Sequence, residues 1–170
     1  LPPELLGDQD LITQLRRDTM AHWPAILEHS VLVYPGIGTM LATLKSAGLR
    51  LGICTASQGE SFRPLEGAGL LDLFEEVVTA RDVVRRKPDP EGLMLCMERM
   101  GVDPVETVYI GDTVADMRAS HAAGLYSVGV LTGAGDSALL SGAGAHRILA
   151  SLRDLPELLL ERDAISPDSR

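Results

Sequence analysis

Cysteine is scarce in this chain: Cys54 and Cys96 are the two in 170 residues. Neither belongs to a CxxC pair or to a Cys/His run with metal spacing, and both sit in apolar stretches. They read as reduced core residues, which excludes a disulfide framework and a zinc site. Basic charge is also short, with 15 Lys and Arg against 24 Asp and Glu, a net charge of -9 and no basic block. That balance argues against nucleic acid as a partner. Long apolar runs are missing too. No segment approaches the roughly 18 residues of a membrane span. The opening "LPPELLGDQD" has neither a basic n-region nor an apolar h-region. No membrane partner is expected, and a cytoplasmic location is the default expectation. His22, His29, His121 and His146 form no spaced pair and read as surface or partly buried residues. There is no internal repeat and no low-complexity tract.

What remains is a globular composition, 45% apolar and 23% charged, long enough for one domain with a real core. The segment "DLITQLRRDTMAHWPAILEHS" spaces Leu11, Leu15, Trp23, Ile26 and Leu27 roughly as a helix does, broken near Pro24, and has the mixed look of a lid or cap helix pair. Pro35, Gly36 and Gly38 punctuate a hinge in "VLVYPGIG". From there helix and short apolar strand alternate. "IGTMLATLKSAG" is a helix with Met40, Leu41 and Leu44 inward, "LRLGICT" a strand, "FRPLEGAGL" a short helix and "FEEVVTA" a strand. "DPEGLMLCMERMG" is a helix, "ETVYIGD" a strand, "VADMRASHAAG" a helix and "LYSVGVLT" a strand. A last strand at "HRILA" and a helix at "LRDLPELLLER" follow. Alternation with short links means βαβ units and a mostly parallel sheet with flanking helices, a Rossmann-like α/β architecture. The expected organisation is a remnant helical cap over residues 1–30, an α/β core over 31–163 and a frayed tail over 164–170.

In such a sheet, ligands gather beyond the carboxyl ends of the strands. Three segments bring chemistry there: Thr55, Ala56 and Ser57 after "LGIC"; Lys87 in "RRKPDP" after "FEEVVT"; and Asp112 with Asp116 after "VYIG". A hydroxyl, a lysine and two carboxylates suit phosphoryl transfer with a hard cation. Asp112 would offer an oxygen to Mg²⁺, and Asp116, four residues on in the next helix, would face the same metal water or a lysine. Thr55 and the Ala56 amide would hold phosphate oxygens while Lys87 neutralises the phosphate. Each residue also has a plain structural reading: Asp112 as a helix cap, Lys87 as a solvated loop charge, Thr55 as a strand residue. The ordered triple outweighs these readings. "LTGAGDSALLSG" places Gly133, Gly135 and Ala138 in a GxGxxA pattern with Asp154 downstream, near the spacing of a ribose contact. With so few residues before Gly142, a surface loop is the better expectation than a dinucleotide site.

The order "ICTAS", "RRKPDP", "VYIGDTVAD" resembles the second, third and fourth motifs of the haloacid dehalogenase-like (HAD) superfamily, close to its phosphoglycolate phosphatase-like branch, over roughly residues 31 to 160. The resemblance implies a HAD-like core and an Mg²⁺-dependent phosphatase acting on a small phosphorylated metabolite through an aspartyl-phosphate. It makes Thr55 the phosphate-binding hydroxyl, Lys87 the phosphate-stabilising lysine, Asp112 a magnesium ligand, and Asp116 an acid behind or occasionally in the metal shell. Ala56 departs from the family, many members having Asn there.

The first family motif, a strand ending in DxDGT that supplies the nucleophile and the acid/base, has no match. Asp8 and Asp10 in "GDQDLIT" have the right mutual spacing. Pro2 and Pro3, however, disfavour a central strand before them and no Gly-Thr turn follows, so a helix N-cap or solvated turn explains them better. In the family that strand lies between the ones ending at Ile110 and Cys54. Its absence leaves those two to pair directly, to take in "SVLVY", or to face a gap. The expectation is that the strand and half of the cap lie upstream of Leu1, and that the chain as given is inactive. The alternatives are a non-catalytic Rossmann-like domain that binds metal, phosphate or a protein partner and, less favoured, a dehalogenase.

Overall fold

The computed structural model describes residues 33–59 and 62–160. The expected cap over 1–30, the pair Asp8 and Asp10, and the tail over 164–170 lie outside the described residues. Pro35 and Gly36 turn the chain into helix α1 (Ile37–Ser46), with Gly36 in the left-handed region at φ 88°. Strand β1 (Gly52–Cys54), the short helix α2 (Arg63–Gly67) and strand β2 (Glu76–Val78) follow. Next come α3 (Glu91–Met100), β3 (Val108–Gly111), α4 (Val114–Ala122) and β4 (Tyr126–Val130). The chain then runs through α5 (Ser137–Gly142), β5 (Arg147–Leu149) and α6 (Leu155–Leu160).

Every strand pairing is parallel, and helices pack on both faces. Met40, Leu41 and Leu44, the inward face that the spacing of α1 predicts, are buried against Leu155, with Ile110 and Leu149 packed alongside. A second cluster joins Leu93 and Met97 of α3 to Ala119 and Leu125, with Cys54 and Tyr109 beside it. Tyr109 and Ile110 are consecutive in β3 and so face opposite sides. The two clusters are therefore the two faces of one helix–sheet–helix stack. Both cysteines are free, and Cys96 is buried.

Among the described residues the sheet is in two parts: β1 pairs with β2 alone, while β3, β4 and β5 form a separate three-stranded ladder in that order. β3 and β4 run in register from Val108 opposite Tyr126 to Gly111 opposite Gly129. β4 is buried along all five residues, whereas β1 and most of β3 are only partly buried. Direct pairing of β1 with β3 is thus not the way the two halves are joined. Val33 and Tyr34 at the end of "SVLVY" are not in a strand, and the rest of that segment lies outside the described residues.

Two local features differ from the sequence expectation. Residues 137–142, read as part of a surface loop, form α5. Asp136 caps it by accepting the Leu139 amide at 2.8 Å, and fully buried Leu140 anchors it. Six residues are too few to show helical periodicity. The last helix begins late, at Leu155, after a 3₁₀ turn over Leu152–Asp154 whose first amides Ser151 caps.

Candidate active site

The parallel ladder sends successive backbone groups of β1 to alternate sides. Glu75 donates to the Leu51 carbonyl and Thr55 donates to the Val78 carbonyl, so the odd-numbered residues face β2. Gly52 and Cys54 consequently direct their backbone groups toward the break. At the end of that free edge the Cys54 carbonyl accepts a hydrogen bond from Lys87 Nζ at 3.2 Å.

Lys87 is the hub of the site. Its ammonium also donates to Asp116 Oδ1 at 2.6 Å and to the Tyr109 hydroxyl at 2.9 Å. Lysine and aspartate side chains are 15% and 7% exposed, so this is a largely desolvated pair. The segments that end β1 and β3 and the loop before α3 therefore meet on one charged atom. Thr55, Ala56 and Lys87 line a common cleft with Thr79, Arg86 and Gly92. Thr55 Oγ1 accepts the Ser57 amide at 3.1 Å, which closes a tight turn at the end of β1. Ser57 in turn accepts the Gly59 amide at 3.3 Å.

Asp116 is built in by its own helix. Thr113 is the N-cap of α4: its hydroxyl accepts the Asp116 amide and donates to Asp116 Oδ2 at 2.6 Å, while its amide donates to the same oxygen at 3.1 Å. This is a capping box. Asp112 adds its amide to Oδ2 at 3.3 Å, and the Tyr109 hydroxyl donates to Oδ1 at 2.9 Å. Both oxygens of Asp116 are thus committed inside the protein. Burial works against its charge, yet the hydrogen bonds from Lys87, Thr113 and Tyr109 and the ammonium's field prevail and hold the carboxyl below its ordinary range. Tyr109 is pushed well up, first by burial and then by the Asp116 charge, so it stays a neutral donor. Burial raises the Cys54 thiol, an effect Lys87 opposes. Gly111 is required beside this network, because a Cβ there would overlap the Asp116 side chain.

Asp112 is placed differently. Its carboxylate is not among the cleft-lining groups; Oδ2 accepts the Ala134 amide at 2.9 Å, and among the described residues Oδ1 has no hydrogen-bond partner. No group of three or more His, Cys, Asp or Glu gathers among the described residues as a ready metal cage. The structure therefore brings Thr55, Ala56 and Lys87 to one cleft and ties Lys87 directly to Asp116. Asp112 joins the cluster through its backbone. Tyr109 and Ala134 are site residues that the motif order did not single out. Strand alternation was the available signal for Tyr109, three positions before Asp112 in "VYIGD" and on the face opposite Ile110. Nothing local marked Ala134, since its contact is made 22 residues away.

Residues 4–130 match the haloacid dehalogenase-like hydrolase family, about three quarters of the chain. The chain belongs to that family. As a HAD-like protein it is 31% identical over 126 residues to the phosphoglycolate phosphatase of Escherichia coli (strain K12), covering 74% of this chain and 50% of that protein. The chain spans about half the length of the curated relatives it matches. Among solved structures, a HAD phosphatase from Thermococcus onnurineus superposes with a TM-score of 0.68 at 30% identity, covering 81% of this chain and 64% of that one. A hydrolase from Pseudomonas syringae gives a TM-score of 0.74 at 27% identity, covering 91% and 70%. These likenesses support the Rossmann-like α/β fold and the HAD-like assignment. Among the described residues no helix is long and apolar enough to cross a membrane.

Proposed function

We propose that this HAD-like chain is the phosphate-holding part of an Mg²⁺-dependent phosphatase that hydrolyses a small phosphorylated metabolite by way of an aspartyl-phosphate. One observation carries the reading: Lys87 Nζ is fixed by Asp116 and the Cys54 carbonyl at the rim of the cleft that Thr55 and Ala56 also line. An ammonium held there supplies positive charge to a phosphoryl group without being free to swing away. The Thr55 hydroxyl and the Ala56 amide serve the phosphate oxygens, in the turn at the carboxyl end of β1 that the Ser57 amide closes by donating to Thr55 Oγ1; Ser57 itself is not among the cleft-lining residues. Asp116 acts through Lys87, holding its orientation and its charge. The E. coli relative's name, phosphoglycolate phosphatase, supports a substrate among small phosphate monoesters.

Asp112 fits a hard cation in one respect: a half-buried carboxylate whose Oδ1 has no partner among the described residues is an oxygen donor of the kind Mg²⁺ takes, one or two carboxylates with water and substrate phosphate completing its shell. A metal bound there would offset phosphate charge as attack proceeds. Asp116, with both oxygens committed, serves Lys87 instead.

The nucleophile is a separate matter. No Asp or Glu is among the described residues lining the cleft, so the acceptor carboxylate is not among the described groups of the site. The second reading, a phosphate-binding domain without catalysis of its own, draws on the placement of Asp112, whose carboxylate is held by Ala134 and does not line the cleft. Calorimetric titration of the chain with orthophosphate in the presence of Mg²⁺ tests the shared premise: binding that Lys87→Met abolishes is the expected result, and heat unaffected by that substitution would overturn it. A turnover assay with phosphoglycolate separates the two readings. The expected result for these 170 residues is no release of phosphate. Mg²⁺-dependent release lost on Asp8→Asn would put the nucleophile in "GDQD".

A further inference from the structure

The glycine-rich stretch "LTGAG" lies outside the phosphate cleft, and its contacts give it a purpose. Because β4 pairs with β3 in parallel register, the chain leaving β4 at Val130 emerges beside the turn that holds Asp112. The loop is pinned along its length. Leu131 donates to the Leu149 carbonyl at 3.0 Å, the Thr132 carbonyl accepts the Tyr34 hydroxyl at 3.1 Å, and Asp136 caps α5 beyond it. Between those pins it closes on Asp112. The Ala134 amide donates to Asp112 Oδ2 at 2.9 Å. A Cβ on Gly133 would overlap the Asp112 carboxylate, and one on Gly135 would lie 2.5 Å from the Asp112 carbonyl oxygen and 2.8 Å from Leu140. Neither glycine has a positive φ, so what they provide is closeness of approach.

We propose that Gly133, Ala134 and Gly135 form a backbone clamp that makes Asp112 a one-oxygen ligand and thereby favours Mg²⁺ over Ca²⁺. The clamp engages Oδ2 and leaves Oδ1, among the described residues, as the oxygen without a hydrogen-bond partner. Ca²⁺ gathers six to eight oxygens and often takes a carboxylate through both; Mg²⁺ takes single oxygens at short distance in an octahedron. Bidentate binding at Asp112 would set a cation in competition with the Ala134 N–H for the electron density of Oδ2, at a cost to the hydrogen bond that holds the loop. Ala134 and its flanking glycines are positioning residues that act through Asp112. This inference rests on Asp112 being the metal ligand, as set out above.

The test is a pair of titrations, Mg²⁺ alone and Ca²⁺ alone, on the chain and on Ala134→Pro, which deletes the donor, and Gly133→Ala, which displaces the carboxylate. The expected result is that Ala134→Pro narrows the Mg²⁺ preference about tenfold, and that Gly133→Ala weakens Mg²⁺ by about tenfold or more. An unchanged Mg²⁺-to-Ca²⁺ ratio in Ala134→Pro would overturn the clamp while leaving Asp112 as a ligand. Mg²⁺ binding that is absent, or that survives Asp112→Asn, would overturn the ligand reading and the clamp with it. A measurement on the unaltered chain guards against variants that fail to fold: the Ala134 amide should be protected from hydrogen exchange without metal, and rapid exchange would overturn the proposal.

Discussion

Replacing Asp116 with asparagine keeps the side chain's size and removes its charge, and the structure sets how much that should matter. Five donors converge on this carboxylate: Lys87, the Tyr109 hydroxyl, the Thr113 hydroxyl and the amides of Asp112 and Thr113. Two face Oδ1 and three face Oδ2, so an amide nitrogen in either place confronts at least two donors. Lys87, 15% exposed, is left without its counter-charge. Breaking such a desolvated pair from one side costs about 3–5 kcal/mol, against a total stability of about 5–15 kcal/mol for a domain. Tyr109→Phe is the calibrating variant. It deletes the hydrogen bond the hydroxyl donates to Asp116 and the one it accepts from Lys87, but leaves the ion pair intact, so the buried ammonium keeps its counter-charge. Urea unfolding should therefore rank wild type above Tyr109→Phe and Tyr109→Phe above Asp116→Asn.

The same pair predicts a pH signature. Because Asp116 is held below its ordinary value in the folded state, its contribution is complete above the unfolded carboxylate pKa of about 3.9. It is lost as pH falls through the lower, folded value. The stability gap between wild type and Asp116→Asn should be constant near neutrality and shrink below about pH 4. An Asp116→Asn protein within about 1 kcal/mol of wild type at pH 7, where breaking the pair should cost several times that, would refute the network as the organiser of the rim.

Other substitutions probe separate parts of the structure. Thr113→Ala removes a helix cap and a donor to Asp116 together, and should cost at least the roughly 1 kcal/mol of a lost N-cap in thermal or urea unfolding. Gly92→Ala puts a Cβ 2.9 Å from Cys54 Sγ. Overpacking of about 1–3 kcal/mol should show in the same assay. Burial pushes the Cys96 thiol up to about 11, so iodoacetamide at pH 8 should leave Cys96 unmodified in the folded chain, and mass spectrometry reads the outcome directly.

The fold was largely legible because parallel strands and amphipathic helices leave different spacings. Met40, Leu41 and Leu44 mark the buried face of α1, and "VYIG" and "YSVGV" stand out as apolar runs between glycine-stopped helices. The alternation of the two then implies a sheet covered on both faces. What escaped was set by contacts distant in sequence. α5 is too short to display a period, and it exists because Asp136 caps it and Leu140 has a buried seat. The contacts of Asp116 could not be told from those of Asp112 by spacing alone. Thr113 and Tyr109 make the difference, one by capping and the other from the opposite face of β3. Gly133 and Gly135 suggested a nucleotide loop or plain surface, whereas their reason is the nearness of Asp112, reached only through the pairing of β3 with β4. Among the described residues β1 and β3 do not pair, which is one of the outcomes that the family resemblance led one to expect.

A crystal of the chain grown with Mg²⁺ and tungstate, an anomalously scattering stand-in for phosphate, most directly examines whether one pocket gathers the oxyanion and its partners. The anion should refine within hydrogen-bonding distance of Thr55 Oγ1 and Lys87 Nζ, with the cation on Asp112 Oδ1. Tungstate found elsewhere, with Thr55 and Lys87 touching only protein, would contradict the proposed phosphate site.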